Sequence, residues 1–326
     1  MLKMSHGFSK PQSRFIRDMV YGIQATGDTI LTDIARCVDS ENRHRNVENR
    51  LGRNLQAEGL AQDLQDAVMG DAKRFIDRNT LIIVDPTDVC KPHAYKMEHL
   101  TLVRDASRST KDNVVTTRGY HGCMAVACRS GSRKTVPLAL KLWSSNAAGH
   151  RGDEELRLVV VRGFGRKPMT LLTNLAVNER LQKEGRDGTD RSYRALWQVV
   201  EGYLSRWRIE ETIRFVKQCY GFENIRVMSY ASWRNMSALV LVTAYFAAAW
   251  LGRGVRKDVL VAHIERMHQR FNDVPEFFLY ALADGIRRAF SRYGSWMSKA
   301  VTRQKPPGGA QPDLPGWDEL AFIGAG

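Results

Sequence analysis

Four residues near the middle of the chain, Tyr203, Arg206, Glu210 and Lys217, are separated by two, three and six residues. On an α-helix each residue turns about 100°, so these four and Arg214 fall within an arc of roughly 80°. One helix face would then carry a carboxylate flanked by cations and a phenol. A carboxylate can hold a divalent metal, and cations with a hydroxyl can hold phosphate. An enzyme that cuts or joins DNA needs both. The plainer alternative is a solvated helix face on which Arg206 and Glu210 form an ordinary i,i+4 pair.

A second carboxylate stands in a telling position. Leu81-Ile-Ile-Val84 is a continuous apolar run with β-branched residues, the pattern of a buried strand. It ends in Asp85, and Pro86 is expected to stop it. An acidic residue at the end of a buried strand can reach a site at the sheet edge. The alternative is a turn aspartate before proline. Asp88 is a nearby competitor, placed after that turn rather than on the strand.

The spacing Tyr203-Leu-Ser-Arg206-Trp-Arg-Ile-Glu210 followed by Lys217 resembles the YREK signature of bacterial insertion-sequence transposases of the DDE class. The flanking RWRIEETIRFVKQCYGFENIRV and the VDPTDVCK around Asp85 are similar to that family too, and the resemblance runs, with one gap, from about Asn49 to about Gly252. It implies an RNase H-like catalytic core in which Asp85 is the first catalytic carboxylate and Glu210 the third, both holding Mg²⁺, with Mn²⁺ as a substitute. It assigns phosphate-side roles at transposon ends to Tyr203, Arg206 and Lys217. Arg214 extends the basic stripe, and Trp207 beside it either stacks on a base or packs in the core. The implied reaction is hydrolysis at transposon ends followed by strand transfer from the freed 3′ hydroxyl. The implied partners are double-stranded DNA with transposon end repeats and a second copy of the chain on paired ends.

The family's second Asp ends a central strand, which is expected between Trp143 and Leu156. The sequence there is too short for a strand and its flanking helix. Asp105 follows the apolar run Leu100 to Val103 but precedes the hairpin, in the wrong order. Asp153 is the weak candidate, in the right interval but on no evident strand. Relative to the family the chain reads as internally deleted around His150 to Leu156. Two readings follow: a shortened transposase with impaired cleavage, and a non-catalytic DNA-binding remnant. A basic metal-dependent nuclease unrelated to transposition is a third, distinguished by indifference to inverted-repeat ends.

The elements that must position these residues read as follows. The fold class is α/β: an RNase H-like mixed sheet flanked by helices, with a helical N-terminal region and a partial β-insertion. Residues 1–79 are mostly helical, with Thr29 to Val38 and Val47 to Leu60 at helical spacing. Arg43, Arg45, Arg50 and Arg53 crowd their junction, either to grip DNA backbone or as a solvated basic face. Residues 80–300 form the core, incomplete around 146–156. Gly122 to Cys128 and Thr135 to Trp143 predict a β-hairpin, and Leu156 to Val161 with Met169 to Leu175 another strand pair. Arg194 to Cys219 reads as helix stopping at Gly221, and Trp233 to Leu251 as a buried helix. Residues 301–326 are a Pro/Gly-rich tail.

Composition agrees with a polyanionic partner. The 326 residues carry 49 Lys and Arg against 35 Asp and Glu, a formal net charge of +14. The five cysteines show no CxxC pair, which argues against a zinc site or disulfide framework and for a reducing compartment. The sequence predicts no signal peptide, no membrane association and a cytoplasmic, nucleoid-associated location.

Overall fold

The structure is a computed structural model that describes residues 7–39, 44–77, 80–129, 135–147, 157–161, 169–173, 200, 207–250, 279–280 and 282–287. Helix α1 spans Lys10–Thr26. Ser9 and Gln12 close a capping box at its start, with the Gln12 backbone N–H donating to Ser9 Oγ and the Ser9 N–H to Gln12 Oε1. Gly27, at φ +69°, ends it. Helices α2 (Leu31–Val38), α3 (His44–Asn54) and α4 (Leu60–Ala72) follow. Strands β1 (Thr80–Cys90), β2 (Thr101–Arg104), β3 (Thr116–Arg129) and β4 (Thr135–Trp143) form one sheet. Strands β5 (Arg157–Val161) and β6 (Met169–Thr173) pair separately. Helices α5 (Trp207–Cys219) and α6 (Tyr230–Tyr245) complete the framework, the latter running on into a π-helical turn, Phe246–Trp250.

The long strand β3 organises the sheet. It pairs antiparallel with β1, β2 and β4, and its residues 121–128 meet β1 on one edge and β4 on the other. Gly119 sits opposite both Cys90 and Thr101; a Cβ there would lie 2.2 Å from the Val89 carbonyl oxygen and 2.6 Å from Val103 Cγ2. Only glycine permits that approach. The sequence predicts a mixed sheet, but every pairing among the described residues is antiparallel. The structure is thus mixed α/β, with a small antiparallel sheet flanked by helices.

Helix α6 is the hub. Its residues are nearly all apolar or small, and from Asn235 onward it is buried all round rather than on one stripe. It packs on α1, α4 and β4. Buried polar groups tie these layers: Asn235 Nδ2 donates to the carbonyls of Leu55 and Ala57, both at 2.8 Å. Gln65 of α4 donates to the Leu138 carbonyl and accepts from the Leu140 N–H of β4. One hydrophobic cluster runs from Phe15 in α1 to Ile286.

Strand β1 departs from its sequence pattern in two ways. It does not stop at Asp85: Pro86 lies inside it, opposite Cys123, and pairing continues to Cys90. Among the described residues β1 pairs with β3 alone, and an edge strand tolerates a proline that cannot donate to a second neighbour. Nor is Leu81 to Val84 buried throughout. Ile83 is buried, while Ile82 and Val84 are 47% and 59% exposed. A continuous apolar run normally marks a strand covered on both faces, yet here one face is open.

Candidate active-site cleft

Alternation along β1 puts Ile83, Asp85, Thr87 and Val89 on one face. Ile83 and Val89 enter the core, and Asp85 and Thr87 border a cleft against α5. Helix α5 buries Ile209, Thr212, Phe215 and Val216. Thr212 Oγ1 lies 3.2 Å from Thr135 Oγ1 of β4, fixing the helix's rotation on the sheet. The adjoining face then presents Glu210, Ile213, Arg214, Lys217 and Gln218 to the cleft, at the i, i+3, i+4, i+7, i+8 spacing of one helical stripe. Asp85 and Glu210, remote in sequence, thus line one cavity of about 420 Å³.

Glu210 lies in the first turn of α5 and Lys217 in its last, so each charge complements the helix dipole. Lys217 Nζ donates to the Asp88 carbonyl at 2.7 Å and stands 3.1 Å from Glu223 Oε1. It therefore ties β1 to the segment after α5 as well as lining the cleft. Arg214 pairs with Glu211 at 2.5 Å. Trp207 opens the helix, 45% exposed, with the Arg208 guanidinium 5.9 Å over its ring; of the two readings of this tryptophan, core packing does not fit. Tyr203, Arg206 and Asp153 lie outside the described residues.

The other carboxylates separate clearly. Asp88 belongs to strand β1, not to a turn after it, and sits on the face opposite Asp85. It accepts from His121 Nδ1 at 2.9 Å and from the Arg104 N–H at 3.2 Å. Asp105 staples a turn, accepting from the Ser107 hydroxyl and from the Ser107 and Arg108 N–H groups. Those bonds, the hydroxyl's first, hold its carboxyl below the usual range. Burial, then the charges of Asp105 and Glu223, push the Cys90 thiol up to about 11.

Sequence reasoning missed Glu223, the third carboxylate lining the cleft. The available signal was Gly221, at φ +55°, which turns the chain so that Phe222 is buried and Glu223 faces back toward Lys217. Among the described residues no three of His, Cys, Asp and Glu converge closely enough to cage a metal. The two carboxylates Asp85 and Glu210 that border the cleft offer oxygen donors. That pair suits Mg²⁺, which is commonly held by one or two carboxylates and keeps several waters. No protein-family model matches this chain, and no curated protein matches it. No helix among the described residues is long and apolar enough to cross a membrane.

Proposed function

We propose that the chain is an insertion-sequence DNA transposase of the DDE class in a shortened form, with an RNase H-like core, that grips transposon ends and cuts them weakly. The observation that carries this reading is the meeting of Asp85 and Glu210 in one cleft beside Arg214 and Lys217. Among the described residues three carboxylates and two cations line that cleft, so carboxylate repulsion opposes a DNA phosphate there. A divalent cation removes it, and Asp85 and Glu210 are the residues that would hold the ion. Bound Mg²⁺ would supply Lewis-acid polarisation of a phosphate oxygen. The chain's own residues do the rest. Lys217, anchored on the Asp88 carbonyl, keeps its ammonium at the cleft wall, where a phosphate can replace Glu223 as its partner. Arg214 and exposed Trp207 extend the same face for the strand and a base. Tyr203 and Arg206 precede them in the signature spacing and are assigned to phosphates.

Weak cutting follows from the interval between Trp143 and Leu156, too short for the strand that would bring a second aspartate. The open, apolar face of β1 at Ile82 and Val84 supports that reading, since its sequence is that of a covered strand. Positioned-metal catalysis depends on sub-ångström placement, so a missing ligand costs orders of magnitude. The second reading, a non-catalytic remnant, is favoured by the lack of three converging metal-binding side chains among the described residues. Cleavage of end-labelled duplex DNA carrying matching ends, with Mg²⁺ and with Mn²⁺, tests both. The proposal expects salt-sensitive binding with slow nicking that Asp85→Asn abolishes. Binding with no nicking at all selects the remnant. Fast cleavage that vanishes in Asp153→Ala would show a rebuilt site and contradict the impairment.

A further inference from the structure

A second, larger cleft lies away from Asp85 and Glu210, at the β4 edge of the sheet between α4 and α6. Its volume is about 610 Å³, in the range of small-ligand sites. Its walls hold two aromatic rings, Trp143 and Tyr230, and two cations, Lys141 and Arg234. Among the described residues no acidic side chain lines it. Lys141 and Arg234 are exposed and have no carboxylate partner among the described residues. They project from different elements, β4 and α6.

The rings are held in place before any ligand arrives. Trp143 ends β4, with its ring stacked on His121 at 5.9 Å between centroids and 30° between planes. His121 is itself fixed by Asp88. Trp143 nevertheless stays 44% exposed. Tyr230 is braced by the rings of Tyr120 and His99. The floor is rigid too, because both ends of the Gln65 amide are spent on the β4 backbone. A flat ring with an open face, sharing a cleft with two cations that have no carboxylate partner among the described residues, recognises a planar base joined to phosphate.

We propose that this cleft binds an unpaired nucleotide of a nucleic-acid strand, its base stacked on Trp143 and its flanking phosphates held by Lys141 and Arg234. This site shares no residue with the Asp85–Glu210 cleft, so it goes beyond the proposed function without requiring it. Stacking on a ring already ordered by His121 loses little rotamer freedom, and no carboxylate among the described lining residues repels the strand.

The test is a binding titration of the full chain with a fluorescent oligothymidylate, beside a duplex and an abasic oligomer of equal length. Trp143→Ala should weaken oligothymidylate binding by about 5- to 150-fold, the usual effect of losing one base–aromatic stack. Lys141→Gln with Arg234→Gln should lower the salt slope by about 1.4, at roughly 0.7 per single-strand phosphate contact. Duplex binding should be unchanged in both variants, and their melting should match the parent. The double-Gln variant is wholly on the surface and keeps the test valid if Trp143→Ala misfolds. Equal affinity for the abasic oligomer would overturn the proposal by showing a site for phosphate alone. Failure to bind oligothymidylate, or binding indifferent to these substitutions, would also overturn it. In either case retained duplex binding would leave the transposase reading standing.

Discussion

Lys91 gives the sharpest prediction about stability. It lies just beyond β1, 6% exposed, with its ammonium 4.7 Å over the Trp233 ring. It donates to the carbonyls of Glu223 and Ile225, the latter at 2.9 Å. Burial lowers its pKa from 10.5 to about 8, offset in part by Glu223 and reinforced by Arg226. Below pH 8 both folded and unfolded chains hold the proton, and the full cost of burying the charge stands. Between pH 8 and 10.5 the unfolded chain binds more protons than the folded one, so this residue's contribution to stability rises with pH. A shift of about 2.5 units, at about 1.36 kcal/mol each, makes the total change on the order of 3 kcal/mol. Several buried tyrosines and cysteines titrate in the same range with the opposite sign: Tyr120 is pushed up to about 12 and Cys219 to about 11. The parent's own profile therefore mixes effects. The difference between the parent and Lys91→Met isolates the lysine. Urea unfolding of both from pH 7 to 10 should show the gap moving in the parent's favour by about 2.5 kcal/mol. A gap that stays flat across that range would refute a buried, charged Lys91.

Three further outcomes are expected. Trp233→Ala removes a fully buried ring stacked on Tyr120 at 5.1 Å and near Phe222 at 5.8 Å, and should cost about 3–5 kcal/mol in chemical denaturation. Arg50→Ala should destabilise more than Asp18→Asn at neutral pH, by denaturant midpoint. It removes the nearer cation from the buried Asp18 carboxylate, 2.8 Å from Arg50 and 3.9 Å from Arg14, whose pKa burial already raises. Replacing Arg206 and Lys217 by Ala should flatten the salt dependence of duplex DNA binding by about one unit per lost phosphate contact, up to about two. Because Lys217 also braces Asp88 and Glu223, its variant should melt lower, which a thermal scan would show.

The parts of this architecture legible in the sequence are those fixed by local periodicity. The alternation in Gly122 to Cys128 and Thr135 to Trp143 became β3 and β4, and the β5–β6 pair lies where its apolar runs stand. The stripe containing Glu210, Arg214 and Lys217 faces one cleft, as 3.6-residue spacing requires. What was not legible depends on neighbours. Pro86 reads as a strand terminator, and only the edge position of β1 makes it harmless. Ile82 and Val84 read as core because hydrophobicity cannot report what covers a face. Lys91, Lys217 and Glu223 meet through the turn at Gly221, a contact across the chain that no local pattern announces. The Trp143 cleft likewise arises only when α4, β4 and α6 come together.

The central claim is that Asp85 and Glu210 together hold one divalent ion in the cleft that takes the DNA backbone. Electron paramagnetic resonance of Mn²⁺ titrated into the chain–duplex complex tests it directly, with Asp85→Asn and Glu210→Gln beside the parent and DNA retention checked for each. The account predicts one bound Mn²⁺ in the parent and its loss in either single variant, with the duplex still held. Bound Mn²⁺ that survives both substitutions would contradict it.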